Sequence, residues 1–162
     1  MQFHRAKICI QGHVIDYGVE KISPFCSICG SEVLSKCLSC GYHIRGSHKL
    51  FGFYAELQEA EEENMEYPNY CYNCGDPFPW TKSLLDNAVE ILALDSQWDD
   101  NFMQIISSSI PDLLVSTPSS AIAVAKYNIN IEKFTLPVRN AMYQLLFEVV
   151  SESVKSRIFP GN

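Results

Sequence analysis

Cys26-Ser27-Ile28-Cys29-Gly30, Cys37-Leu38-Ser39-Cys40-Gly41 and Cys71-Tyr72-Asn73-Cys74-Gly75 decide how this 162-residue chain is read. A Cys-x-x-Cys turn places two thiolates on one side of a tight loop, at the roughly 2.3 Å Zn–S reach of a tetrahedral zinc ion. The glycine that follows lets the backbone turn sharply and aim amide N–H groups at the sulfurs. One such pair could equally be a redox dithiol. Three of them, each closed by glycine, point to zinc.

Six knuckle cysteines do not divide into whole four-ligand sites, so two more ligands are needed. The segment Ala6–Ile15 supplies Cys9 and His13, four residues apart, with Gly12 between them to bend the chain. The alternative for this pair is a small buried cysteine and a surface histidine. Beside six other thiols, ligation is favoured. The expected metal ligands are therefore Cys9, His13, Cys26, Cys29, Cys37, Cys40, Cys71 and Cys74, enough for two structural Zn2+ ions. His43 and His48 lie within reach of the second knuckle, but Tyr42–Gly46 alternates like a strand leaving it, and neither is expected to touch metal.

Loop length bears on which pairs share an ion. Joining Cys26/Cys29 to Cys37/Cys40 leaves only residues 30–36 for the hairpin between them. Interleaving avoids that crowding, with Cys9, His13, Cys37 and Cys40 on one ion and Cys26, Cys29, Cys71 and Cys74 on the other. This is the cross-brace arrangement, similar to RING and FYVE modules. A sequential solution, in which Cys9/His13 join Cys71/Cys74, stays open.

The run of Cys9, Gly12 and His13, then Phe25-Cys26-x-x-Cys29-Gly30, Cys37-x-x-Cys40-Gly41-x-x-Ile44-Arg45-Gly46 and Tyr70-Cys71-x-x-Cys74-Gly75-Asp76-Pro77-Phe78-Pro79-Trp80-Thr81 resembles an uncharacterised bacterial zinc-ribbon family. The resemblance continues through Ile110–Leu113 and Thr117-Pro118 to the final helix. It implies zinc ribbons and a bacterial or phage origin, and no established activity. The chain departs from the family pattern at Ala125–Ile131, where Lys126 stands in place of a basic cluster.

Composition is that of a globular protein, 47% hydrophobic, with room for one domain or two small ones. No segment approaches the roughly 20 apolar residues of a membrane span. Met1–Arg5 has no apolar stretch behind a basic start, so no secretory signal is expected. Seven cysteines are an odd number for disulfides, whereas reduced thiolates suit zinc in a reducing compartment, so a cytoplasmic location is expected. Charge is uneven. Residues 1–52 carry six basic against three acidic side chains, and Glu56, Glu59, Glu61, Glu62, Glu63 and Glu66 then form an acidic run. The formal charge of −7 becomes about −10 once zinc replaces the thiol protons, which disfavours a phosphate backbone as partner.

These observations describe an α+β chain. Residues 1–80 form a zinc-binding module of short β-hairpins, with strands expected at Lys7–Ile10, His13–Asp16, Tyr42–Arg45 and Phe51–Tyr54. Residues 81–162 form an α-helical region. Thr81 is expected to cap a helix reaching Leu94, Ser96 and Asp99 to open a second, and Thr117-Pro118 to open a third. A final helix is expected from Leu136 to Ile158. It is apolar over most of its circumference between Ala141 and Val150, and a helix apolar all round is buried on every side. Leu145, Leu146, Val149 and Val150 are accordingly the expected surface for a protein partner or a second copy.

No catalytic signature accompanies the ligands. Eight ligands for two ions leave no open position for activated water, and phosphate-cradling, nucleophile-elbow and His-Glu-x-x-His motifs are absent from the sequence. The expected function is that of a non-catalytic, zinc-stabilised adaptor or regulatory protein, with no membrane or small-molecule substrate implied. One alternative is a nucleic-acid-binding zinc ribbon using Arg5, Lys7, Lys36, Arg45 and Lys49. Another is a RING-like ligation adaptor, which rests on cross-brace topology alone.

Overall fold

A computed structural model describes residues 3–16, 23–48, 67–95, 97–147, 149–150 and 152–159. The expected strand at Phe51–Tyr54 and the acidic run lie outside the described residues. The chain divides into two compact units, Met1–Ser83 and Leu84–Asn162.

The first unit holds two small antiparallel sheets. In one, β1 (Phe3–Arg5) pairs with β5 (Arg45–His48), Arg5 standing opposite Arg45. In the other, the order is β3 (Val14–Asp16), β2 (Lys7–Cys9), β4 (Val33–Leu34). The central strand β2 is buried along its whole length. The core around it is small: Ala6, Ile8, Leu34, Ile44, Phe78 and Trp80, joined by Cys37 and Cys71. A second small cluster of Cys9, Cys26 and Val33, with Ile15 against it, lies beside this core among the described residues.

Helix α1 (Pro79–Ala93) begins three residues earlier than a Thr81 cap implies, with Pro79 at the position where a missing N–H does no harm. Thr81 is therefore inside the helix and is not its cap. Its hydroxyl is buried and donates to the Asn69 carbonyl at 2.8 Å, while the Trp80 indole N–H donates to the Pro68 carbonyl at 3.0 Å. The apolar face at Leu84, Leu85, Ala88, Ile91 and Leu92 lies as the helical spacing requires, on the core of the second unit.

That unit continues with α2 (Asp100–Ser107), α3 (Pro111–Leu114), α4 (Ser120–Ile131), α5 (Leu136–Phe147) and α6 (Glu152–Ile158). Asp99 caps α2 as expected, accepting from the Phe102 amide at 2.7 Å. Helix α4 opens at Ser120. Thr117 forms the preceding turn, its amide donating to the Ser120 hydroxyl at 2.9 Å.

The C-terminal expectation is corrected. The segment from Leu136 to Ile158 is two helices, and between them Val149 and Val150 both donate back to the Leu146 carbonyl in a tight turn. Leu146 and Val150 are buried, and Leu145 and Val149 pack half-buried against the same core. The turn redirects the chain, so side chains that would circle one continuous helix all face the same core. Leu146 and Val150 belong to the core, and Leu145 and Val149 lie at its edge, half-buried. Among the described residues no helix is long and apolar enough to cross a membrane.

Candidate metal centres

Each knuckle is built the same way. The amide of its first cysteine donates to a carbonyl five residues on, and its glycine amide donates back to the first cysteine's carbonyl. These pairs are Cys26 to Ser31 (2.8 Å) with Gly30 to Cys26 (2.8 Å), Cys37 to Tyr42 (2.7 Å) with Gly41 to Cys37 (2.9 Å), and Cys71 to Asp76 (2.8 Å) with Gly75 to Cys71 (2.8 Å). An isolated antiparallel bridge closes each loop: Phe25 with Glu32, Lys36 with His43, Tyr70 with Pro77. The three glycines sit at φ of +72°, +71° and +79°, a left-handed conformation that side chains resist.

Cys9–His13 is a fourth knuckle, one residue shorter. The Cys9 amide donates to the His13 carbonyl at 3.0 Å and the Gly12 amide to the Cys9 carbonyl at 2.8 Å, with Gly12 at φ +92°. A side chain at Gly12 would also stand 3.2 Å from Trp80 Cβ and 3.3 Å from Tyr67 Oη. Two independent constraints thus require glycine here.

The four knuckles meet in two groups, Cys9/His13/Cys26/Cys29 and Cys37/Cys40/Cys71/Cys74, with ligand atoms within 4.8 Å of one another in each. All eight expected ligands are present. The pairing is neither the interleaved solution nor the sequential one that set Cys9/His13 with Cys71/Cys74: first joins second, and third joins fourth. The sheet is the reason. Strand β2 ends at Cys9, whose Cα partner on β4 is Val33, and β4 leaves directly from the Cys26–Gly30 turn. Residues 30–36 never had to close a hairpin around one ion.

The distances test what these groups could hold. Sulfur–sulfur separations are 3.7 Å for Cys9–Cys29, Cys37–Cys74 and Cys40–Cys71. A tetrahedron with Zn–S bonds of about 2.3 Å has edges of about 3.8 Å. His13 Nδ1 lies 3.4 Å from Cys9, 3.3 Å from Cys29 and 3.8 Å from Cys26, against about 3.5 Å for a nitrogen–sulfur edge of the same figure. All seven cysteines are free thiols. Both groups are able to hold a metal ion, and the four-sulfur set and the three-sulfur, one-imidazole set both suit zinc.

Electrostatics favour a cation at each centre. Hydrogen bonds from Ser31, side chain and backbone, pull the Cys29 thiol down to about 6, with His13 and Cys26 adding to the effect. The Tyr42 backbone, then Asn73 and the neighbouring sulfurs, pull Cys40 down to about 7. Burial pushes Cys9 up. At Cys74 the Asp76 backbone is the largest single influence and lowers the value. Desolvation and the sulfurs of Cys40, Cys71 and Cys37 together outweigh it and leave Cys74 at about 12. Four sulfurs this close cannot all ionise unaided, and a divalent cation removes that obstacle. Further N–H groups support the sulfurs: His13 to Cys9 at 3.3 Å, Ile28 to Cys26 at 3.4 Å, and the Asn73 side chain to Cys40 at 3.6 Å.

In each Cys-x-x-Cys knuckle the first cysteine is buried and the second exposed, and in the fourth Cys9 is buried and His13 half-buried, so both centres sit at the rim of the core. His43 lies outside both groups; its backbone bridges Lys36 as an isolated pair, and the strand expected at Tyr42–Arg45 runs instead from Arg45 to His48. The sequence reading missed the aromatic setting of Arg45, whose guanidinium lies between the rings of Phe3 and Tyr72. Phe3 and Tyr72 are far apart in sequence; the β1–β5 pairing brings Phe3 to Arg45, and the grouping of Cys71/Cys74 with Cys37/Cys40 brings Tyr72 there.

The profile of a bacterial family matches residues 2–158, a span that contains both ligand groups. The chain belongs to DUF2321. The description of DUF2321 is "uncharacterized protein conserved in bacteria". No curated protein and no solved structure matches the chain. DUF2321 membership agrees with the resemblance carried by the knuckle motifs, and the match extends across both compact units.

Proposed function

We propose that both centres hold Zn2+ as structural ions and that the protein is a non-catalytic adaptor or regulator acting by binding another protein. The observation that carries this reading is the closed ligand count. Each centre has four protein ligands at tetrahedral spacing, leaving no position for a substrate or an activated water. Zinc then reinforces the small apolar clusters of the first unit, and performs no chemistry. The cytoplasm, with its reduced thiols, is the compartment this reading assigns.

The test pairs metal analysis with partner capture. Protein purified without chelator should carry two zinc ions per chain. The tagged chain, expressed in a bacterium that naturally carries the family, should yield a protein complex of fixed stoichiometry that can be rebuilt from purified components. A tight complex with duplex DNA or RNA that weakens steeply with salt, and no protein complex, would overturn the reading.

A further inference from the structure

Arg5 and Arg45 stand opposite each other across the β1–β5 ladder, and both are exposed. Like charges at a cross-strand pair repel, and among the described residues no carboxylate pairs with either. Arg45 is nonetheless held firmly. Its guanidinium carbon lies 3.9 Å from the centroid of the Phe3 ring and 3.9 Å from that of Tyr72, and Tyr42 meets Tyr72 edge-on at 5.4 Å. A guanidinium clamped between two rings loses little further freedom on binding, while its edge keeps a planar fork of N–H donors suited to a carboxylate. Beside it runs an open groove of about 190 Å³ lined by Arg45, Gly46, Pro68, Tyr70, Tyr72 and Phe78. That is space for one or two side chains, well below the size of a small-molecule site.

We propose that this face binds an acidic peptide segment of a partner protein, with an Asp or Glu carboxylate on Arg45 and Arg5 and a neighbouring apolar side chain in the groove. The inference rests on the protein-binding reading and names its site. Charge complementarity selects the occupant: two arginines with no acidic partner among the described residues call for an anion, and the aromatic lining calls for an apolar group beside it. An extended peptide carries both at adjacent positions. Single-stranded nucleic acid fits less well because it needs free ring faces for its bases. One face of Tyr72 is taken by Arg45, and Phe78 is 2% exposed and stacked on Trp80 at 4.8 Å.

The experiment is to pan a random-peptide display library against the zinc-loaded full chain and to measure a fluorescein-labelled copy of the enriched peptide by anisotropy. The enriched sequences should carry Asp or Glu within two residues of an aromatic or aliphatic side chain. Arg45→Gln should weaken binding about tenfold or more, as loss of a charge-assisted bidentate contact implies. Arg5→Gln should weaken it less, and Arg45→Lys should fall between wild type and Arg45→Gln, all with two zinc ions retained. If Arg45→Gln loses metal, Arg5→Gln and Arg45→Lys carry the test. Peptides lacking acidic residues, or insensitive to these variants, would overturn this site while leaving the protein-binding reading intact. No enriched peptide, together with salt-sensitive and Arg45-dependent binding of a labelled oligouridylate, would remove both.

Discussion

Substituting cysteines two at a time separates the pairing seen here from the cross-brace alternative. Cys37→Ser and Cys71→Ser each remove one ligand from the same centre, whose sulfurs stand 3.7 Å apart across Cys37–Cys74 and Cys40–Cys71. A structural zinc site contributes on the order of 10 kcal/mol to folding of a small module, so three remaining ligands are not expected to hold the ion at nanomolar free zinc. Each single variant should therefore carry one zinc ion per chain. The double variant Cys37→Ser/Cys71→Ser should also carry one, because both changes fall on one centre. Cys26→Ser/Cys37→Ser should carry none. In an interleaved arrangement the first double variant would lose both ions. Native mass spectrometry of zinc-loaded protein reads the count directly, and elemental analysis checks the metal's identity. A zinc-free Cys37→Ser/Cys71→Ser chain, alongside single variants that keep one ion each, would refute the pairing.

Gly12→Ala should destabilise the first unit by about 2–4 kcal/mol, combining a left-handed backbone with overpacking against Trp80 and Tyr67, whereas Gly30→Ala, open on all sides, should cost about 1–2 kcal/mol; denaturant unfolding at saturating zinc compares them. Thr81→Val should cost about 1 kcal/mol by removing its bond to Asn69, with two zinc ions retained. A fall in helical signal instead would mean that Thr81 acts as a cap after all. Leu146→Ala should destabilise the second unit by about 2–5 kcal/mol, the cost of truncating a fully buried leucine. An unchanged unfolding midpoint would return this residue to the surface.

The ligands were legible because each lies in a short turn whose chemistry is local. Cys-x-x-Cys-Gly specifies both the sulfur geometry and the left-handed residue that closes it, with no tertiary context needed. The pairing was not legible, because it depends on where β2 sits between β3 and β4, and β4 is only Val33–Leu34. A two-residue strand has no alternation to read, and the three-residue β1 has little more. In the helical unit the apolar face of α1 and the Asp99 cap were visible as periodicity and capping chemistry. The break after Phe147 was not, since neither glycine nor proline lies between Phe147 and Glu152 to mark a turn. That hidden turn is why Leu136–Ile158 read as one continuous helix.

The pairing also bears on which functional analogies survive. The comparison with RING-like ligation adaptors rested on interleaved ligands, which lock two centres into one rigid block. Here each centre closes over consecutive knuckles, so each ribbon presents its own turn tip: Phe25 and Ile28 beside the first centre, Leu38, Tyr42 and Tyr72 beside the second, all exposed. Exposed apolar side chains at turn tips add nothing to the core and lower solubility unless something covers them. Of the two tips, the second adjoins the clamped arginine and the aromatic groove, and so combines apolar area, a donor fork and positive charge that no carboxylate among the described residues neutralises. The first offers apolar area alone. The proposed peptide-binding face accordingly lies on the second ribbon, where Arg45 and the groove adjoin the exposed Tyr42 and Tyr72.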